Sequence, residues 1–278
     1  MWTAANRKSY ERKGLRYPSD LTDAEGALIA PMIPPAKQGG RKRSVNVREV
    51  INGLLSVLET GCPWRHLPKD FPPKSTVHGY FELGGVGPHA GADPRRSLRG
   101  VAREGRARGE PVGGDHRQPE RQIGAKRGPS VDPVGFDAGK KIKGIKRHIL
   151  TDHLGLLLTV SVHPANLQDR DGAAQVLTKT VRRRFPFIAV VFADSGYQGP
   201  RLPDAARTAG RWRVEIVRRP PHAAGFIVLA KRWIGERTLA WISRNRRLAR
   251  DFETLARTAT ALVRLAMIKI MLRRMARI

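Results

Sequence analysis

One segment of this chain, residues 84–130, lacks the side chains from which a folded core is built. It has no aromatic residue, and its larger aliphatic residues are few: Val86, Leu98, Val101, Val112 and Ile123. Such a composition is typical of a disordered linker. The sequence on either side is that of ordinary folded protein, so any hydrophobic core must be built from the residues before and after this segment.

A change of reading frame is a second explanation of the segment, and we favour it. When the gene is read one nucleotide downstream, the amino-acid sequence fixes two of the three bases in most new codons. Only the base that was the wobble base of an old codon is free. In that frame, residues 86–99 can encode W-D-R-T-L-E-R-I-H-D-A-L-Y, whose apolar residues have helical spacing. Residues 116–123 can encode I-D-S-Q-S-V-K, in which an apolar residue leads into an aspartate. We infer that the frame slips near Gly84 or Gly85 and returns before about Val131.

The charge of the chain indicates a polyanionic partner. The 278 residues are 40% hydrophobic, which allows one large domain or two smaller ones, and the formal charge is +28. Part of the basic excess lies within 84–130, but clusters elsewhere favour nucleic acid over a merely solvated basic surface. These clusters are 41–43, 140–146, 182–184 and 244–250.

The sequence also predicts a cytoplasmic protein. The residues after Met1 lack the apolar core of a signal peptide, and no apolar run approaches the ~18 residues of a membrane span. The single cysteine, Cys62, rules out an intramolecular disulfide. Because its neighbours are apolar, it is predicted to be a small buried residue rather than a nucleophile.

The N-terminal part reads as a polar, flexible tail over 1–16 and a helical region over 17–83. Predicted helices are 19–30 with caps at its start, 46–59 ended by Gly61, and 75–83 capped by Ser75 or Thr76. Lys74 and His78 in the last of these suggest a helix-turn-helix-like DNA-binding module. A plain helical bundle is the alternative.

Residues 131–278 change to a mixture of strand and helix periodicity. Predicted strands are 147–151, 156–163, 188–192, 214–217 and 226–229, and predicted helices are 168–185, 200–209, 232–248 and 254–277. The short connection 152–155 favours a hairpin between the first two strands. This alternation predicts an α/β fold built on a mixed sheet.

Asp194 is the first candidate for chemistry. It follows the apolar run 190–193, so it is expected at the carboxyl end of a buried strand, where open α/β sheets place their ligands. An aspartate in this position can equally cap the next helix.

Glu236 is the second candidate. It lies near the start of a helix between Arg232 and Arg237, so a surface ion pair is the alternative to a functional role. The apolar side of that helix is predicted to carry Trp233, Leu239, Ala240 and Ile242. Hydrolysis of phosphodiesters needs about three carboxylates around divalent ions ~3.5–4 Å apart, so two acids do not make a site.

Several short motifs resemble, in matching order, bacterial insertion-sequence transposases of insertion-element families four and five. They are 17–22 (YPSDLT), 61–65 (GCPWR), 135–144 (GFDAGKKIKG), 146–150 (KRHIL), 193–197 (ADSGY) and 232–237 (RWIGER). The resemblance covers about 17–83 and 134–277.

The resemblance implies a ribonuclease-H-like domain whose Asp, Asp, Glu triad binds a pair of magnesium ions to cut and join transposon ends. It assigns the second aspartate to Asp194, the glutamate to Glu236, both as metal ligands, and the signature arginine to Arg232. Two positions depart from the family: Leu229 stands in place of a tyrosine, and Ser243 in place of a lysine for which Arg244 is a substitute.

The first aspartate of the triad has no counterpart in the chain as written. The family's apolar-Asp-Ser segment occurs only in the shifted frame, around Arg117 and Gln118. Asp115 is nearby, but it follows two glycines and is not expected to be held by a strand. The predicted fold is therefore an N-terminal helix-turn-helix-like region followed by a ribonuclease-H-like mixed-sheet domain whose first core strand is missing.

The sequence thus predicts an insertion-sequence transposase that is catalytically impaired. Its expected partners are duplex DNA with the terminal inverted repeats of its own element and, when active, further copies of the chain; no membrane is expected. The predicted DNA-binding residues are Arg41, Lys42, Arg43, Lys74, His78, Lys140, Lys141, Lys143 and Arg244. Two alternatives stay open: a non-catalytic regulator or inhibitor of transposition, and a basic RNA-binding protein, which the scarcity of aromatics on strands disfavours.

Overall fold

The computed structural model describes residues 11–33, 43–86, 110–113, 132, 134–138, 141–218, 220, 222, 225 and 228–277. Within this part the chain forms two compact units. The N-terminal unit takes its described residues from Met1–Pro94, Asn245–Arg247 and Leu265–Ile278, and the sheet unit takes them from Arg95–Arg244 and Leu248–Arg264. The end of the chain therefore belongs to the N-terminal unit, whereas the sequence boundaries place all of 131–278 in one domain.

The first three helices that the structure describes in the N-terminal unit have ends that the sequence dictates. They are α1 Asp23–Ile29, α2 Val47–Thr60 and α3 Lys74–Phe81, joined by 3-10 helices at Ala30–Met32 and Trp64–His66. Thr22 and Glu25 form a reciprocal capping box on α1. Asn46 caps α2, which ends at Gly61 with a φ of 71°. The predicted helices are confirmed, except that α3 begins directly after Pro73 and is not capped by Ser75 or Thr76.

Helices α2 and α3 pack closely because Gly53 has no side chain. A Cβ atom at Gly53 would lie 3.3 Å from Cγ2 of Val77. The surrounding core buries Leu54, Leu58 and Phe81, and each such side chain contributes roughly 1.5–3 kcal/mol to folding. Cys62 is a free, partly exposed thiol, so the prediction that it is a buried residue is wrong.

Ion pairs anchor Arg12 and the last helix within the N-terminal unit. Arg12 lies 2.8 Å from the buried Glu25, so the end of the predicted flexible tail is anchored rather than free. Lys269, on the last helix, is buried between Glu59 at 2.6 Å and Asn245 at 3.0 Å. Breaking such a buried pair leaves an uncompensated charge and costs about 3–5 kcal/mol.

The described part of the sheet unit contains six strands. They are β1 Glu110–Gly113, β2 Gly135–Asp137, β3 Ile142–Thr151, β4 Leu157–Pro164, β5 Val190–Ala193 and β6 Arg213–Ile216. Strand β3 pairs antiparallel with β4 and β1, and β2 pairs antiparallel with the start of β3. Strands β5 and β6 are parallel, and β1 lies against β5. The resulting α/β architecture of the described residues, helices followed by a four-stranded antiparallel sheet and an adjacent two-stranded parallel sheet, is consistent with the predicted ribonuclease-H-like domain.

Strand β1 corrects one part of the fold prediction. The first core strand was expected to be missing, but residues 110–113 form it and pair with His148–Thr151 of β3. Composition does not exclude a strand here because a ladder needs backbone N–H and C=O groups, which even a Glu-Pro-Val-Gly sequence supplies at most positions. The rest of 84–130 beyond Val86, including Asp115 and the predicted disorder, lies outside the described residues.

Helices cover the sheet and bury its apolar side. They are α4 Asp169–Val176, α5 Lys179–Arg184, α6 Arg201–Gly210 and α7 Ala230–Ser243. Two later helices, α8 Arg246–Ala249 and α9 Ala256–Met275, each have residues in both units. Leu150, Val176, Ile188, Val191 and Leu202 belong to one core cluster. None of the described helices combines the length and the apolar composition that crossing a membrane requires.

Three element predictions in this unit are wrong in detail. The single helix expected over 168–185 breaks at Leu177, because the Thr178 side chain accepts the Val181 N–H and starts a new helix, α5. The helix expected over 232–248 ends at Ser243. Of the strand expected over 226–229, Val228 and Leu229 are in irregular structure and the other two residues are outside the described part.

Candidate active site

Asp194 lies where the sequence predicted it, directly after a buried strand. All four residues of β5 are buried. Asp194 then caps a 3-10 turn, Ser195–Tyr197, by accepting the Gly196 N–H at 2.9 Å. The side chain is partly exposed at the carboxyl edge of the sheet. The alternative role of Asp194 as a cap is therefore present, with Oδ1 as the accepting atom.

Tyr197 anchors this turn to the neighbouring part of the sheet. Its hydroxyl is hydrogen-bonded to Nδ1 of His148 on β3, and both side chains are almost completely buried. His148 in turn stacks on His163 of β4 with ring centroids 4.6 Å apart. Burial, followed by the nearby carboxylates of Asp194 and Asp169, raises the pKa of Tyr197 well above its ordinary value. The phenol therefore stays neutral and fixes the position of the Asp194 turn.

Two further carboxylates, those of Asp137 and Asp169, lie at the same edge of the sheet as Asp194. Lys146 on β3 contacts Asp137 at 2.9 Å and Asp169, the first residue of α4, at 3.3 Å. Burial lowers the pKa of Lys146, but its hydrogen bond to Asp137 and the charge of Asp169 outweigh burial and raise it overall. The ammonium group is therefore charged and offsets the two acids.

Gly196 lies close to both Asp194 and Asp169. A Cβ atom at Gly196 would lie 3.1 Å from Oδ1 of Asp194 and 3.2 Å from Oδ2 of Asp169. Both carboxylates therefore lie close to the position that a side chain would take here, and a larger residue would crowd both. No role in the site was predicted for Asp137 or Asp169, and Lys146 was expected only as part of the basic cluster 140–146. The signal for Asp137 and Lys146 was their place in the 135–144 and 146–150 motifs.

Glu236 and Arg232 are brought together on α7. Arg232 Nε donates to Glu236 Oε1 at 2.9 Å, and both side chains are about half exposed. The ion pair that was the alternative for Glu236 is therefore present. In water such an exposed pair is worth ~0–1 kcal/mol, so it does not fix Glu236 strongly.

The buried side of α7 positions these residues relative to the sheet. Leu239 and Ile242 are buried, and Thr238 donates to the Gly155 carbonyl at 2.8 Å. At the other end, Lys231 Nζ lies 3.5 Å from the ring centre of Phe192, two residues before Asp194. The helix thus begins beside the strand that carries Asp194.

The predicted apolar side of α7 is wrong for Trp233 and Ala240, which are exposed. A helix turns by roughly 100° per residue, so Trp233 points about 120° away from Leu239.

A complete metal centre is not formed by the residues that the structure describes. They contain no group of three His, Cys, Asp or Glu side chains that could hold a metal ion. Lys146, already between Asp137 and Asp169, is a physical reason why these acids do not complete such a group. The described side chains therefore do not fit the pair of magnesium ions that the family resemblance implies, and a site shared by Asp194 and Glu236 stays a prediction.

The predicted DNA-binding residues lie on the surfaces of both units. In the N-terminal unit, Lys74 is exposed at the start of α3, His78 is partly exposed against Trp64, and Arg43 lies 5.8 Å from the ring centre of Tyr80. In the sheet unit, the exposed residues are Lys141 and Lys143 near the β2–β3 turn and Arg244 after α7. Arg41, Lys42 and Lys140 are outside the described residues.

Two family models match the chain in succession. A model of transposases of the IS4/5 family matches residues 21–83, and the model of the transposase DDE domain matches residues 112–271. A curated protein of Burkholderia cepacia, carrying the name of a transposase for insertion sequence element IS402, is 35% identical over 132 residues. That alignment covers 45% of this chain and 60% of the relative, so the chain spans less than two thirds of it. No solved structure matches the chain.

Proposed function

The chain belongs to the family of transposases that share the DDE domain, and from this premise we propose that it is an insertion-sequence transposase that retains DNA binding but is impaired in strand cleavage. One observation carries the proposal: matches to two transposase models, over 21–83 and 112–271, follow one another on this chain and are separated by residues 84–111, which are part of the segment that is poor in core residues.

The proposed partner is duplex DNA carrying the terminal inverted repeats of the element. A net charge of +28 favours a polyanion, and the exposed Lys74, Lys141, Lys143 and Arg244 provide contacts to phosphate. Base recognition is assigned to the helical region around α3, whose inner residues Val77 and Phe81 are buried while Lys74 faces solvent.

The proposed impairment of strand cleavage follows from the number of carboxylates that the chain offers for binding metal. Asp194 and Glu236 correspond to the family's second aspartate and glutamate, Arg232 is the ion-pair partner of Glu236, and the first aspartate is supplied only by the shifted reading frame. Magnesium is the ion expected of the family, and a cleavage site for phosphodiesters needs about three converging carboxylates. In a frame-corrected chain we expect catalysis as a homo-oligomer on paired element ends.

A non-catalytic regulator of transposition is the second candidate function. It is favoured by the contrast between the units: α1 and α2 are capped and the helices of 17–83 have a buried core, whereas the described carboxylates do not complete a metal centre. A chain that occupies the element ends without cutting them would compete with an active transposase.

Binding of the full chain to duplex DNA tests the proposal. Fluorescence anisotropy with a duplex of the element's end and with a scrambled duplex should give tighter binding to the former. The affinity should fall with salt, by about 0.9 log unit per log unit of salt for each phosphate contact. The variant Lys74→Gln should lower that slope by about one contact. Lys13→Gln, which removes an exposed lysine already paired with Glu11, is the matched control and should leave it unchanged.

Two results would count against the proposal: equal affinity for both duplexes, or affinity that does not depend on salt. The nucleotide sequence across codons 84–131 tests the reading-frame part separately. An uninterrupted frame without the encoded I-D-S-Q-S-V-K string would refute it.

A further inference from the structure

The β2–β3 hairpin exposes an aromatic ring. Phe136, in the middle of β2, is 56% exposed, more than any other described phenylalanine or tryptophan. A single exposed apolar residue is common on protein surfaces and by itself indicates nothing. The surroundings of Phe136 are what distinguish it.

The backbone that carries Phe136 is held rigidly. A Cβ atom at the preceding Gly135 would lie 2.3 Å from the backbone nitrogen of Asn166, so the chain passes in close contact there. On β3, the Gly144 carbonyl accepts the Ala165 N–H at 3.0 Å. Asp137, which follows, is fixed by Lys146 at 2.9 Å. The ring is thus presented to solvent from a fixed strand, which lowers the entropy lost when a flat partner stacks on it.

The exposed face of the hairpin is also basic. Phe136 and Lys143 are directly opposite in the antiparallel register, so their side chains project from the same face. Lys143 is exposed, and so is Lys141 in the turn. An aromatic platform flanked by lysines is the arrangement by which proteins bind single-stranded nucleic acid, with bases stacked on the ring and phosphates on the cations.

The opposite face of the hairpin leads to the candidate active site. Asp137 and Lys146 lie on that face, Lys146 also contacts Asp169, and Asp169 and Asp194 both lie close to Gly196. The hairpin thus carries the exposed ring on one face and connects to the candidate active site through the other.

We propose that Phe136 stacks on an unpaired base of single-stranded DNA and that Lys141 and Lys143 contact the adjoining phosphates. In a duplex the faces of internal bases are covered by their neighbours, so this hairpin selects an unpaired base or a frayed end. The choice of DNA rests on the proposed function, whereas the stacking and the charge contacts do not.

The test uses the full chain and a single-stranded oligo-dT that contains one 2-aminopurine, whose fluorescence is quenched by stacking. The unaltered chain should quench the probe on binding. Phe136→Ala should remove the quenching and weaken single-strand affinity about 5- to 150-fold, the equivalent of about 1–3 kcal/mol per stacked base. Phe136→Trp should restore both. Phe187→Ala, which removes another exposed aromatic ring at 50% exposure, is the matched control and should behave as the unaltered chain.

Lysine variants test the charge contacts in the same assay. Lys143→Gln should reduce the salt slope of single-strand binding by about 0.7, and Lys179→Gln, an exposed lysine on α5, should not change it. The affinity of Phe136→Ala for the duplex of the element's end should stay within about twofold of the unaltered chain, because stacking on the ring needs an unpaired base.

Three results would overturn the proposal: unchanged quenching in Phe136→Ala, an equal loss in Phe187→Ala, or unfolding of Phe136→Ala, since the last would mean that the ring packs within the protein. Oligo-U bound more tightly than oligo-dT would overturn the assignment to DNA. Failure of duplex binding with intact Phe136-dependent quenching would instead count against the proposed transposase function alone.

Discussion

The substitution Gly172→Ala tests the packing that holds the candidate active site. Gly172 lies on α4, and a Cβ atom there would be only 2.3–2.6 Å from three atoms of the His148 ring. His148 has little room to move, because it is buried, stacked on His163 and hydrogen-bonded to Tyr197. Adding a methyl group to a packed core of this kind costs about 1–3 kcal/mol, although alanine is otherwise the better helix former.

Thermal unfolding followed by circular dichroism measures this cost. Each kcal/mol corresponds to about 2–4 °C in a domain of 150–250 residues, so Gly172→Ala should lower Tm by about 2–12 °C. Gly79→Ala is the matched control. Gly79 is also helical but has open space where its Cβ would lie, so this variant should be more stable by about 0.4–1 kcal/mol.

A double-mutant cycle assigns the cost to His148. In a His148→Ala background, Gly172→Ala should cost much less than in the unaltered chain, since the ring that blocks the methyl group is gone. Costs that add within about 0.5 kcal/mol would refute the packing argument, as would a Gly172→Ala chain as stable as the unaltered one.

Two further stability predictions concern other buried groups. Tyr197→Phe removes the hydrogen bond to His148 and should destabilise the chain by about 1–3 kcal/mol in urea unfolding; no change would mean that this bond does not anchor the Asp194 turn. Burial raises the pKa of Asp251 from 3.8 to about 6 despite the neighbouring Arg147, so its contribution to stability should be complete below pH 3.8 and lost as the pH rises through about 6. Asp251→Asn should flatten the dependence of Tm on pH between 4 and 7 relative to the unaltered chain, and an unchanged profile would contradict the shift.

Local signals allowed much of the fold to be predicted. The helices α1 and α2 could be placed because their caps, Thr22, Asn46 and Gly61, are sequence features that act over a few residues. The location of Asp194 could be predicted for the same reason, since a run of four apolar residues ends directly before it. Glu236 and Arg232 could be paired from their helical spacing.

Contacts between distant residues could not be predicted in this way. His148 and Tyr197 are 49 residues apart and carry no shared pattern, so their hydrogen bond becomes visible only when β3 and β5 enter one domain. The ion pairs of Lys146 could not be predicted either. Lys146 belongs to a basic cluster that indicated nucleic acid, but in the structure its ammonium group pairs with Asp137 and Asp169. Strand β1 was missed because its pairing depends on β3 and not on its own side chains.

Cleavage of DNA ends by the chain as written, compared with a frame-corrected chain, tests the central claim most directly. The assay would measure nicking of a labelled duplex of the element's end in the presence of Mg²⁺. We predict no nicking by the chain as written, restored nicking when the middle segment is returned to frame, and loss of that activity in Asp194→Ala and Glu236→Ala versions of the corrected chain. Nicking by the uncorrected chain, or activity of the corrected chain that survives Glu236→Ala, would contradict the account.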